Sequence, residues 1–140
     1  MEKKICVIGA GYWGKNHIKT LSSLNALKGI LEIDKSVLKP LLDIYPSAQG
    51  HSNIEDAIAE NYDGYVIATP ARTHFEIARR LIKSNKNILI EKPMTLSIEE
   101  SEELVFLVDE NKVSAMVGHV LLFHPALKKI KSMIENGDIG

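Results

Sequence analysis

The chain has 140 residues, 45% of them apolar and 25% charged, with a formal net charge of -1. That length suits one domain, residues 1–140, with a real core, and the balance excludes the disordered and membrane-embedded classes. Basic residues are interleaved with acidic ones, as in "KKIKSMIENGD", so no cationic stripe exists to follow nucleic acid.

The N-terminal "KKICVIGAG" is a short apolar run that passes straight into a glycine loop, which predicts a first strand at 4–8 and no export signal. Cys6, the single cysteine, falls inside that strand, where a thiol is packing, and a reducing cytoplasm suits a chain without a disulfide. Gly9, Gly11 and Gly14 then form a G-x-G-x-x-G, and helical pattern follows over 12–23. By itself the triplet serves plain turns as well as dinucleotides. Placed after a strand and opening a helix, it suits a diphosphate: Gly9 for the turn, Gly11 for close backbone approach, Gly14 for helix packing. The amides of Tyr12 and Trp13 would face the phosphates at the positive end of the helix.

A second strand is predicted at 29–33, ending in Asp34, 20 residues beyond Gly14. That is the spacing of an acidic ribose ligand; the lesser alternative for Asp34 is a helix cap or turn residue. An Asp there favours NAD over NADP, while the adjacent Lys35 would partly offset its repulsion of a 2′-phosphate. Strand alternation turns Glu32 to the other side from Ile33, which disfavours it as the ligand. A short helix at 37–44 and a short strand at 48–51 come next. Ser52 and Glu55 stand in capping-box spacing, which predicts a helix beginning there.

A strand at 65–68 leads into Thr69, Pro70, Ala71, Arg72, Thr73 and His74, and a helix is predicted over 73–83. A fifth strand at 87–90 leads into Glu91, Lys92, Pro93 and Met94. Ser97 and Glu100 form a second capping box for the following helix, a sixth strand is predicted at 114–118, and a last helix at 125–135 ends at Asn136 and Gly137. The alternation predicts an α/β fold with a doubly wound, mostly parallel sheet in the order 3-2-1-4-5-6. Its ligand crevice would lie between the first and fourth strands. His17 and His51 read as surface or packing residues; His119 and His124 either face the crevice or are structural. The five histidines have no zinc-ligand spacing, so no metal site is predicted.

The stretches "VIGAGYWGKNH", "IATPARTHFEIA", "ILIEKPMTLSIEE" and "VGHVLLFHPALKKIKSMIENGDIG" together resemble the Gfo/Idh/MocA oxidoreductase family over essentially the whole chain, as its N-terminal Rossmann domain. "GYWGKN" is most similar to the nucleotide-sugar 3-dehydrogenase branch. The resemblance implies that Gly9, Gly11, Gly14, Tyr12 and Trp13 hold the pyrophosphate of NAD and Asp34 the adenosine ribose. It further implies that Thr69, Pro70 and His74 line the nicotinamide half, Glu91 anchors the nicotinamide ribose, and Lys92 orients or deprotonates a sugar hydroxyl, with a cis Lys92-Pro93 bond. Family members continue into a second α/β domain carrying a D-x-x-x-H arrangement, which is absent from these 140 residues. The chain is therefore expected to be the cofactor half of a dehydrogenase for a sugar or nucleotide sugar, inactive alone, and either cut from a longer protein or encoded separately and completed by another polypeptide; a homo-oligomer is the other expected partner. The alternatives are a stand-alone, non-catalytic dinucleotide-binding module and a redox-silent remnant that dimerises through its nicotinamide face.

Overall fold

In a computed structural model that describes residues 2–139, the strands β1 (Ile5–Ile8), β2 (Leu27–Leu31), β3 (Gln49–His51), β4 (Gly64–Ile67), β5 (Ile88–Ile90) and β6 (Ala115–Val117) form one sheet. Their order is β3-β2-β1-β4-β5-β6 and every neighbouring pair is parallel, as the strand-helix alternation predicts. The helices are α1 (Tyr12–Ser23), α2 (Lys35–Ile44), α3 (Ile54–Ala59), α4 (His74–Lys83), α5 (Ile98–Asn111) and α6 (Pro125–Glu135). Short 3₁₀ turns precede α4 at Ala71–Thr73 and α6 at Val120–Phe123. Among the described residues, no helix is long and apolar enough to cross a membrane.

Strand periodicity divides the core between the two faces of the sheet. Cys6 and Ile8 of β1, with Ile67 and Ile90, pack against Ala78, Leu81 and Ile82 of α4 and Leu104 and Leu107 of α5. Val7, Ile30 and Val66 point the opposite way, onto Ile18 of α1 and Leu38 and Leu41 of α2. Parallel strands bring all six C-terminal ends to one edge, and the chain reverses its winding between β1 and β4. The loops after these two strands therefore diverge and leave a crevice between them.

Most boundaries lie within one residue of the sequence reading, and three differences have a local cause. β2 runs over Leu27–Leu31 rather than 29–33. Asn25, in the left-handed region at φ 57°, turns the chain sharply out of α1 so that Leu27 is already buried in the sheet. α2 begins at Lys35 because Asp34 caps it. In α3 the cap is Asn53, not Ser52: Asn53 Oδ1 accepts from the Asp56 N–H at 2.8 Å. The Ser97 cap of α5 is as expected, accepting from the Glu100 N–H at 3.1 Å.

Candidate functional site

The glycine loop joins β1 to α1. Gly9 sits at φ +90°, and a Cβ there would stand 2.8 Å from the Thr69 methyl and 3.0 Å from the Ala68 backbone. A Cβ on Gly14 would overlap the Gly9 carbonyl, so α1 can approach the loop only with glycine at that position. A Cβ on Gly11 would meet nothing within 4 Å. The space above it is open, and backbone there can be approached closely.

The first helical bond of α1 runs from the Lys15 N–H to the Gly11 carbonyl at 3.0 Å. The amides of Tyr12, Trp13 and Gly14 thus precede the ladder, and no side chain caps them. Such donors, at the positive end of a 12-residue helix, can grip an anion. The rings of Tyr12 and Trp13 project outward, 81% and 48% exposed, in an edge-to-face pair.

A crevice of about 460 Å³ opens at this edge, walled by Gly9 and Gly11, by Glu32 and Ile33 after β2, and by Thr69, Pro70 and Arg72 after β4. It lies at the predicted winding reversal and includes two of the three glycines. Asp34 is not among its walls. The Asp34 carboxylate turns back onto its own helix, where Oδ1 accepts from the Ser36 N–H at 2.8 Å and the Ser36 hydroxyl at 2.6 Å, which holds this carboxyl below its ordinary pKa. Glu32 stands at the crevice instead. Because β2 ends at Leu31, the strand alternation that turned Glu32 away no longer applies. Its Oε2 accepts from the Ala10 N–H at 2.8 Å and its Oε1 from the Asp34 N–H at 3.0 Å, which fixes the carboxylate against the glycine loop.

His74 also departs from its expected place. It is 1% exposed and lies inside the protein rather than on the crevice wall. Its Nδ1 meets the Pro93 carbonyl and its Nε2 the Thr69 carbonyl, both at 2.8 Å. A carbonyl only accepts, so the ring N–H donates to one of the two, and the ring lies as a bridge between the loops after β4 and β5. Thr69 is held in addition by its hydroxyl, which meets that of Thr73 at 2.8 Å.

At the end of β5, Glu91 is buried and Lys92 is exposed, and the Lys92-Pro93 peptide is cis. Among the described residues, the Lys92 ammonium has no ion-pair partner. Glu91 reaches across to His17 of α1, its Oε1 2.7 Å from the ring Nε2. The sequence reading left His17 as surface or packing. Its signal was available in the helical spacing Gly14, His17, Ile18, which puts the ring on the face of α1 that turns toward the sheet. His124 caps α6, its Nδ1 accepting from the Ala126 N–H at 3.2 Å.

The family model described as "Oxidoreductase family, NAD-binding Rossmann fold" matches residues 3–119. An uncharacterized oxidoreductase of Bacillus subtilis (strain 168), YrbE, is 32% identical over 145 residues, covering 100% of this chain and 42% of the relative. A UDP-N-acetylglucosamine 3-dehydrogenase of Acidithiobacillus ferrooxidans is 28% identical over 130 residues, covering 89% of this chain and 39% of the relative. Among solved structures, the WlbA dehydrogenase from Bordetella pertussis in complex with NADH and UDP-GlcNAcA superimposes with a TM-score of 0.92 at 26% identity, covering 100% of this chain and 44% of that one. The chain thus spans about two fifths of the length of these relatives. With the glycine loop, the strand order and the matched residues in agreement, the chain belongs to the Gfo/Idh/MocA oxidoreductase family and contains its NAD-binding Rossmann fold.

Proposed function

We propose that residues 1–140 form one cofactor domain, the NAD-holding half of an oxidoreductase that acts on a hydroxyl of a sugar or nucleotide sugar. The observation that carries this reading is the crevice after β1 and β4, where uncapped helix amides, an open Gly11 and the Glu32 carboxylate share one rim. The cradle fits the coenzyme because the space a side chain would fill at Gly11 is free for a diphosphate. The amides of Tyr12, Trp13 and Gly14 bind that diphosphate, and Glu32, rather than Asp34, accepts from the adenosine ribose hydroxyls with its remaining lone pairs. Its negative charge opposes a 2′-phosphate, which favours NAD over NADP. Thr69 and Pro70 wall the path toward the loop after β5.

NAD supplies the hydride acceptor when it is bound. Glu91 holds the nicotinamide ribose. The Lys92 ammonium hydrogen-bonds the substrate hydroxyl and sets its orientation, and an exposed lysine without an ion-pair partner among the described residues suits a catalyst at this strand end better than a bare dinucleotide carrier. The substrate platform comes from outside these residues, on the same polypeptide or on another, including a further copy. A lone, fully buried thiol suits the reducing cytoplasm.

Trp13, the only tryptophan, stands beside the proposed diphosphate site and reports binding directly. Titrating a polypeptide of residues 1–140 with NADH is expected to change its fluorescence. An intact fold with no change at millimolar NADH would remove the coenzyme reading. The same polypeptide is expected to form no NADH from NAD and UDP-sugars, and robust turnover would show that the 140 residues suffice for catalysis.

A further inference from the structure

The His17–Glu91 contact has no part in the diphosphate cradle, yet it joins the helix that carries the cradle to the loop that carries Lys92. Glu91 is 8% exposed, and a carboxylate so far from water must be partnered. On one side its Oε1 meets His17 Nε2 at 2.7 Å. On the other it lies against Gly118 of the loop after β6, where an added Cβ would come within 3.2 to 3.3 Å of both carboxylate oxygens and their carbon. Among the described residues, only the Lys92 N–H, at a long 3.3 Å, approaches Oε2. The carboxylate is thus pinned between an α1 ring and a bare stretch of backbone, with acceptor capacity left on Oε2. A carboxylate only accepts, so the ring Nε2 carries the proton in this contact.

We infer that His17 is a positioning residue: its Nε2–H, acting against the bare Gly118 backbone, fixes the Glu91 carboxylate so that Oε2 faces the nicotinamide ribose. The inference rests on the coenzyme reading above and deepens it. His17 touches neither coenzyme nor substrate. It makes the nicotinamide end of the site depend on the helix whose first turn holds the diphosphate.

The test compares NADH with ADP, which shares the adenosine and diphosphate but lacks the nicotinamide riboside, by calorimetric titration of the 140-residue chain. His17→Leu is expected to weaken NADH about tenfold, the effect of losing one hydrogen bond to a charged group, and to leave ADP unchanged. His17→Gln, whose side-chain N–H reaches the region of Nε2, should recover most of the loss. Gly118→Ala, which displaces the carboxylate from the opposite side, should reproduce it.

Equal weakening of both ligands by His17→Leu would reduce His17 to a structural part of α1 and overturn the inference. So would unchanged NADH affinity, or a Gln variant as weak as the Leu variant. Should the Leu variant fail to fold, Gly118→Ala decides, and unchanged NADH affinity in that variant overturns the inference equally. A wild-type chain that binds neither NADH nor ADP would overturn the coenzyme reading itself, an outcome distinct from all of these.

Discussion

At the scale of single residues, a two-residue shift in the end of β2 brings Glu32 rather than Asp34 to the crevice wall. Asp34 has the spacing of a ribose ligand, but its Oδ1 is turned onto the Ser36 N–H and hydroxyl, and the residue does not wall the crevice. Glu32 is held in the crevice by two backbone amides and keeps free lone pairs. Glu32→Gln is therefore expected to weaken NADH about tenfold and to narrow the preference over NADPH, while Asp34→Asn changes NADH affinity by no more than about twofold. Equilibrium titration of the two variants checks this. His51 makes a second residue-scale prediction. It is buried with Nε2 2.8 Å from the Tyr62 hydroxyl, and burial lowers its pKa against the opposing pull of Glu60 and Asp56. The unfolded chain then binds a proton that the folded chain resists. Stability should be unaffected by this group above about pH 6.5, the ordinary histidine value, and should fall as pH drops below it. In His51→Gln that component of the acid destabilisation should vanish, as read from urea unfolding between pH 7 and 5.

At the scale of elements, caps and close approaches decide where helices begin. Ser52 and Asn53 are adjacent and both are good caps, so "SNIEDAIAE" does not by itself select one. The structure selects Asn53, whose side chain accepts from Asp56. Asn53→Ala should cost about 1 kcal/mol in urea unfolding, and Ser52→Ala close to nothing. Helix α1 has no side-chain cap at all. Its start depends on Gly14 lying against the Gly9 carbonyl, and Gly14→Ala must push the helix away from the loop. That variant is expected to lose NADH binding even where the sheet still forms, a result that circular dichroism with a parallel titration would separate from global unfolding. The three glycine roles were legible in the sequence because each follows from one local requirement: turn, open approach or packing. The strap formed by His74 was not. It depends on two carbonyls, from Thr69 and Pro93, that only the folded sheet brings to opposite sides of one ring.

For the whole molecule, the sheet and its five flanking helices make a core independent of the last segment. No residue of α6 is buried, and Val120, Leu121, Leu122 and Phe123 before it are each at least 60% exposed. Removing residues 120–140 should consequently lower the unfolding temperature by no more than about 4 °C, as differential scanning calorimetry would show. Cys6 at the centre of the sheet is fully buried, and burial pushes its thiol up to about 12. It should react with a thiol reagent only after the fold is opened by denaturant.

The fold class, the strand order and the three-glycine loop were determined by the sequence alone, because they rest on local periodicity and on the handedness of strand-helix-strand connections. Which acid meets the crevice, which histidine ties the loops and which one holds Glu91 were decided only by tertiary structure. Those choices turn on where a strand stops and on groups separated by up to 74 residues meeting at one sheet edge, and no local pattern encodes such a meeting.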